Sequence, residues 1–303
     1  MTEIINTYRP RQVSPPGGTL LDLLEDRGMP QNELAERTGL TPKTINEIVK
    51  AKAPITPDTA LKLERSLGLP AEFWLVREQN YQEWRARVRA EAEQADAVEW
   101  LGGLPVKHLL DAGLIARASS KAEQVGELLR FFGVASPAAW RDIYERPQAA
   151  FRRSSAFRSE VGATAAWLRL GELQSQSIKG GQYSVSRFRA ALKAAAPLVR
   201  KPLPKVAERL RESCAAAGVA VALVPALDGC KASGVARWLS PTRALIQLSD
   251  RPETADQLWF TFFHEAGHIL LHGKRLVFLD AGGGESVEEF EADRFAKGAL
   301  DGA

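Results

Sequence analysis

The chain is poor in cysteine and in long apolar runs, and each shortage excludes a class of protein. Its 303 residues include two cysteines, Cys214 and Cys230, which argues against a disulfide-stapled secreted domain and fits no metal-binding spacing. No run of about 18 apolar residues occurs, so no membrane span is expected. The polar start, Met1 to Gln12, lacks the apolar core of a signal peptide. We therefore expect a cytoplasmic protein of two or more domains.

Histidine is also scarce, but three of the four histidines fall within the short window 264–272. His264 and His268 form an H-E-x-x-H motif with Glu265 between them. Residues four apart share one face of a helix, so the two imidazoles can bind a single Zn²⁺ beside Glu265. The flanking residues are strongly apolar, and polar groups in such a helix are costly to bury unless they are bonded or bind a metal. The pattern predicts the zinc site of a metallopeptidase, with Glu265 as the group that moves protons.

The spacing does not fix the third zinc ligand. His272 lies roughly 12 Å along the helix axis from His264, at ~1.5 Å per residue, so we expect it to flank the site or lie near the helix end, with zinc binding as the less favoured alternative. A carboxylate on a following helix, with Ser286 as its N-cap, is the favoured ligand. Five acidic residues compete for this position: Glu285, Glu288, Glu289, Glu291 and Asp293.

The motif and the sequence Glu291-Ala292-Asp293-Arg294-Phe295-Ala296 that follows it resemble the ImmA/IrrE metallopeptidases. In that family H-E-x-x-H is followed by an E-A-[ND]-x-F-A element that supplies the third ligand. The resemblance implies His264, His268 and Glu291 as zinc ligands and Glu265 as general base. It covers about the C-terminal third of the chain, and the expected strands at 218–225 and 245–248 also fit it. Such proteins usually continue beyond the position equivalent to Ala303. We therefore expect this chain to be either a short member or a truncated one.

A second pattern lies near the N-terminus. The segments 31–40 and 41–48 predict one short helix, a turn that contains Gly39, and a second helix with Thr41 as its N-cap and Pro42 in its first turn. Such a pair is a helix-turn-helix module, whose second helix enters the major groove of DNA. The expected core residues are Leu34, Ala35, Leu40, Ile45 and Ile48. The expected DNA-facing residues are Lys43, Thr44 and Asn46 on base edges, and Gln31 and Lys50 on phosphates or bases.

This segment, continued to Leu75, resembles the Xre-type domain of HigA-like antitoxins. The resemblance implies binding to double-stranded operator DNA, and paired half-sites favour a homodimer. However, acidic residues outnumber basic ones between Gly17 and Asn80, and phosphate neutralisation supplies much of DNA affinity. A dimerisation or partner-docking role is therefore the alternative for this module.

The predicted fold is mainly α with a small β-sheet (α+β). The predicted parts are an N-terminal tail (1–16), an Xre-type helix-turn-helix domain (17–80), a helical middle region (81–150) and a zincin-like metallopeptidase domain (151–303). The strand Ala244–Leu248, just before the motif helix, is expected at a sheet edge that can pair with an extended peptide.

Together these patterns predict a DNA-binding transcriptional regulator with a fused zinc endopeptidase. Its substrate would be a repressor or antitoxin-like protein, cut at a limited site in a stress, toxin–antitoxin or mobile-element response. One alternative is a non-catalytic HigA-like antitoxin or transcription factor whose C-terminal domain binds a ligand or a partner protein. Another is an amide hydrolase that acts on a small molecule, for which a closed pocket would be expected.

Overall fold

A computed structural model describes residues 12–146, 161–199, 201, 203–252, 254–273, 278–280 and 286–301. The chain divides into two compact units, Met1–Gln94 and Ala95–Ala303. None of the helices described is long and apolar enough to cross a membrane. The α-helices and strands are α1 (Pro16–Asp26), α2 (Gln31–Thr38), α3 (Pro42–Val49), α4 (Pro57–Leu67), α5 (Ala71–Asp96), α6 (Val106–Asp111), α7 (Lys121–Phe132), α8 (Pro137–Trp140), α9 (Val161–Ser177), α10 (Val185–Ala195), α11 (Leu203–Ala216), β1 (Val219–Leu223), β2 (Gly234–Ser240), β3 (Arg243–Leu248), α12 (Ala255–Leu271), β4 (Phe278–Asp280) and α13 (Val287–Asp301).

The first unit is a helical module closed around a small apolar core. The helix-turn-helix prediction is confirmed: α2 ends at Gly39, whose φ of 65° suits a residue without a side chain, and α3 begins after Thr41. Helices α1 and α3 touch, since a Cβ on Gly17 would lie 2.0 Å from the carbonyl oxygen of Ile48. The residues that fill the core include Leu20, Leu34, Ala35, Ile45, Ile48, Leu63 and Trp74, with Leu40 packed against them.

The second unit is built on a four-stranded sheet in the order β1-β3-β2-β4. Strands β1 and β3 are parallel, and β2 is antiparallel to both β3 and β4. Side chains alternate between the two faces. One face, which includes Val221, Ala236 and Ile246, packs on α11 and α12. The other, which includes Ala222 and Leu245, packs on α9 and the helices before it.

The predicted fold class, mainly α with a small sheet, is confirmed. The predicted domain boundaries at 80 and 150 stay predictions. Leu128, Phe132 and Trp140 are buried in the same core as Trp167 of α9 and Leu245 of β3. The division between the two compact units falls near residue 95. The end of the predicted middle region, 147–150, lies outside the described residues.

The expectation that β3 is a sheet edge is wrong. Val221 of β1 pairs with Ile246 of β3 on one side, and Ala236 of β2 pairs with the same residue on the other. Both hydrogen-bonding edges of β3 are therefore occupied within the sheet, and an added peptide strand cannot pair there. The sequence pattern of a buried strand does not tell an interior strand from an edge strand that is covered on both faces.

Candidate metal centre

Helix α12 carries the H-E-x-x-H motif through the interior of the second unit. Thr254 and Gln257 form a capping box that fixes its start. The helix ends at Leu271, and His272 follows in an extended conformation. His264, Glu265 and His268 are 3%, 0% and 2% exposed. Polar side chains buried this deeply require hydrogen bonds or a bound ion. The hydrogen bonds can come from one another or from neighbouring groups.

Glu289, on α13, meets both motif histidines. The Nε2 atoms of His264 and His268 lie 3.0 Å apart. Glu289 Oε2 lies 3.1 Å from His264 Nε2, and its Oε1 lies 3.5 Å from His268 Nε2. A tetrahedral zinc ion with bonds of about 2.0–2.2 Å sets its ligand atoms about 3.3 Å apart. The three side chains therefore form a triangle that could hold a metal ion.

The ionisation of these groups also suits a metal. Burial raises the pKa of Glu289, but hydrogen bonds and charge interactions with His264 and His268 outweigh it and hold the pKa at about 2. Burial lowers the pKa of His268, against the opposing effect of Glu289. A carboxylate and a neutral imidazole are the protonation states that bind a metal ion.

Each motif histidine has a further contact on its other ring nitrogen. Nδ1 of His264 lies 2.9 Å from Oδ1 of Asp293. Nδ1 of His268 lies 2.9 Å from Nδ1 of His272, whose Nε2 lies 3.1 Å from Oε2 of Glu291. Metal-binding histidines commonly make such outer contacts, which fix the ring orientation and the tautomer. As expected from its spacing, His272 flanks the site at the end of the helix.

The structure places Glu289, rather than Glu291, beside the two histidines. Residues of an α-helix are 100° apart around the axis at 3.6 per turn, so Glu291 is turned about 200° from Glu289. Its carboxylate reaches His272 instead. Glu289 was one of five acidic residues that the spacing left open. The signal that could have selected it is the Glu289–Asp293 pair, four residues apart like the two histidines it faces.

Glu265 lies against the start of β2. A Cβ built on Gly234 would stand 2.6 Å from Glu265 Oε1 and 2.6 Å from Thr261 Cγ2. Gly234 pairs with Leu248 of β3 and Asp280 of β4. The missing side chain at Gly234 thus provides the space for the Glu265 carboxylate. No pattern in the sequence around Gly234 indicates this contact.

The helix-turn-helix residues form a separate surface on the first unit. Ile45 and Ile48 turn inward, while Lys43, Asn46 and Lys50 are exposed along the outer side of α3. The Thr44 amide donates to Thr41 Oγ1 over 3.1 Å, and their hydroxyls are 2.9 Å apart, so Thr44 contributes to the helix cap. Lys43 is near Glu47 at 3.9 Å. Gln31, half-buried, begins α2.

Comparisons with known proteins identify the first unit. Residues 20–74 match the helix-turn-helix family, so this part of the chain is a helix-turn-helix domain. Over 54 residues the chain is 41% identical to virulence-associated protein I of Dichelobacter nodosus, a match that covers 18% of this chain and 50% of that protein. The chain thus spans about half the length of this curated relative.

Two solved structures are similar to parts of the chain. One is an addiction module antidote protein of a HigA family from Coxiella burnetii, with 29% identity, 26% of this chain and 87% of that chain covered, and a TM-score of 0.25. The other is the Pseudomonas aeruginosa antitoxin HigA with the higBA promoter, with 25% identity, 26% and 86% coverage and a TM-score of 0.25.

Proposed function

We propose that this chain is a DNA-binding transcriptional regulator whose second unit is a zinc-dependent endopeptidase. The observation that carries the peptidase half is the triangle of His264, His268 and Glu289, with ligand atoms 3.0 to 3.5 Å apart. The DNA-binding half is supported by the helix-turn-helix match at residues 20–74. The exposed side of α3, with Lys43, Asn46 and Lys50, would face the major groove.

The residues of the second unit divide the chemistry among them. His264, His268 and Glu289 would hold the ion, which supplies Lewis acidity and makes water acidic when bound. Three protein ligands leave one tetrahedral position open, as a catalytic site requires. The Glu265 carboxylate would take a proton from the attacking water and pass it to the leaving amide nitrogen. Gly234 leaves room for that carboxylate on the β2 side.

The proposed substrate is a repressor or antitoxin-like protein, cut at a limited site. The interior position of β3 removes one route by which a peptide could be held, and the α13 side is the approach that we propose for the substrate. Among the described residues that side is partly exposed, since the side chains of Glu289 and Asp293 are 22% and 46% exposed.

Zinc content and cleavage test the peptidase half. Protein purified without added metal is analysed for zinc as wild type, Glu289→Ala and Glu265→Gln, and each is incubated with fluorescent casein and with a random peptide library. About one zinc per chain is expected in the wild type and in Glu265→Gln, with a reduced content in Glu289→Ala. Glu265→Gln should retain zinc but lose cleavage by about 10²- to 10⁴-fold. Cleavage by Glu265→Gln at the wild-type rate would refute the role of Glu265 in proton transfer. A wild type without zinc affinity would refute the peptidase proposal and favour the non-catalytic regulator.

Selection of bound duplexes from a random pool tests the DNA-binding half. Asn46→Ala should relax the selected sequence, because an asparagine in this place reads base edges. Lys50→Ala should weaken binding to all sequences alike and reduce its salt dependence, as the loss of a phosphate contact does. Lys107→Ala is the matched control, since this exposed lysine lies on the second unit. Failure of the wild type to enrich any sequence would favour the partner-docking role.

A further inference from the structure

The contacts behind His268 extend through two residues that do not belong to the triangle. His272 lies between His268 and Glu291, with its Nδ1 2.9 Å from one and its Nε2 3.1 Å from the other. We propose that His272 and Glu291 are positioning residues that hold the His268 ring in the orientation and tautomer needed for metal binding. The proposal rests on the metal-binding half of the proposed function. It gives Glu291 a role different from that of a zinc ligand.

With a metal ion bound, the placement of protons along this hydrogen-bond network has one solution. His268 turns Nε2 toward His264 and Glu289, so Nε2 would offer its lone pair to the ion and the ring proton would be on Nδ1. A neutral imidazole has one donor and one acceptor nitrogen. Nδ1 of His272 therefore accepts from His268, and the proton of His272 is on Nε2. That nitrogen donates to Glu291 Oε2, since a carboxylate only accepts.

The backbone at the end of α12 makes this arrangement possible. His272 has φ of −111° and ψ of 163°, so the chain leaves the helix at this residue. Its amide still donates to the carbonyl oxygen of His268 over 3.2 Å, which keeps the two residues together. The His272 side chain is only 5% exposed. A side chain so enclosed, bonded at both nitrogens, can hold the His268 ring against rotation.

The two ligands are thus supported in different ways. His264 contacts the carboxylate of Asp293 directly. His268 is linked to the carboxylate of Glu291 only through His272. Glu291 is 57% exposed, so this second support ends at the surface of α13. Outer contacts of this kind typically change metal affinity by about 10- to 100-fold when they are lost.

Zinc affinity of the full-length chain, measured by competition with a chelator, tests the proposal. His272→Ala and Glu291→Ala should each weaken zinc binding by about 10- to 100-fold. Glu291→Gln should restore most of the affinity, because its amide oxygen can still accept from His272. Asp301→Ala, an exposed acidic residue at the far end of the same helix, is the control and should leave affinity unchanged. Glu289→Ala, which removes a ligand, should weaken binding more than either positioning variant.

Histidine ¹⁵N resonances provide a readout that loss of stability alone would not change. In the zinc-loaded wild type His268 should be protonated on Nδ1 and His272 on Nε2, and Glu291→Ala should give mixed tautomers at His272. A wild type without zinc affinity overturns the proposed function itself. A wild type that binds zinc, with His272→Ala and Glu291→Ala equal to it in affinity and tautomer, overturns only the positioning role. A loss in Glu291→Ala greater than that in Glu289→Ala would make Glu291 the ligand.

Discussion

Replacing Gly234 by alanine should displace the Glu265 side chain, lower the stability of the second unit and slow cleavage. The added Cβ would lie 2.6 Å from both Glu265 Oε1 and Thr261 Cγ2, and 2.9 Å from Glu265 Cγ. A Cβ atom essentially never lies this close to a non-bonded heavy atom. Either α12 moves away from β2 or the Glu265 side chain turns aside. Overpacking of this kind costs about 1–3 kcal/mol of folding free energy. A displacement of about 1 Å at a catalytic group can cost about 100-fold in rate.

Two other glycines provide the matched comparison. A Cβ on Gly267 would lie 3.2 Å from Ala292 Cα and 3.3 Å from Phe295 Cδ1, a tight contact between α12 and α13. A Cβ on Gly298 would meet nothing within 4 Å. Alanine stabilises a helix interior relative to glycine by roughly 0.5–1 kcal/mol. Gly298→Ala should therefore raise stability by that amount, and Gly267→Ala should change it little because the gain and the contact oppose each other.

Urea unfolding of the three variants and the wild type, with zinc content and cleavage measured on each, tests this order. The expected order of stability is Gly298→Ala, then wild type with Gly267→Ala close to it, then Gly234→Ala. A Gly234→Ala variant as stable and as active as the wild type would refute the close approach of Glu265 to β2. Loss of stability in Gly298→Ala would refute the expectation that an added Cβ at this position meets no neighbouring atom.

Two further predictions concern other parts of the chain. Burial raises the pKa of Cys214 to about 12 and also raises the pKa of Cys230. Both thiols should therefore react slowly with a disulfide reagent at pH 8 in the native protein and rapidly in denaturant, and rapid native reaction would contradict their burial. Thr41→Ala removes the cap of α3 and should cost about 1 kcal/mol, measured by thermal unfolding, and an unchanged midpoint would contradict the capping role.

The elements could be predicted because their signals are local. The Thr41 cap, the apolar spacing of Ile45 and Ile48, and the short apolar runs before the motif each depend on neighbouring residues, and the structure has helices and strands there. The position of β3 could not be predicted in the same way. Its pairing depends on β1 and β2, which lie elsewhere in the sequence, and a buried strand reads the same in the middle of a sheet and near its edge.

The site was predictable only in part for a similar reason. His264, Glu265 and His268 lie on one helix, so their spacing alone brings them together. Glu289 comes from a different helix, and its rotation about the helix axis relative to the histidines depends on how α13 packs. Ala292 and Ala296 are fully buried and face α12, which turns Glu289 to one side and Glu291 to the other. Small residues in a helix are weak sequence signals for such a contact.

Removal of the metal separates a catalytic site from a structural one. The core around α12 contains Trp259, Phe262 and Phe263, each at most 1% exposed, and these contacts do not involve the triangle. The metal-free protein should therefore keep its secondary structure after treatment with a chelator. Zinc should then raise the free energy of unfolding by mass action, by about 2.7 kcal/mol at a free concentration 100 times the Kd. Unfolding of the second unit on chelation, measured by circular dichroism, would instead indicate that the fold depends on the bound ion, as in a structural zinc site.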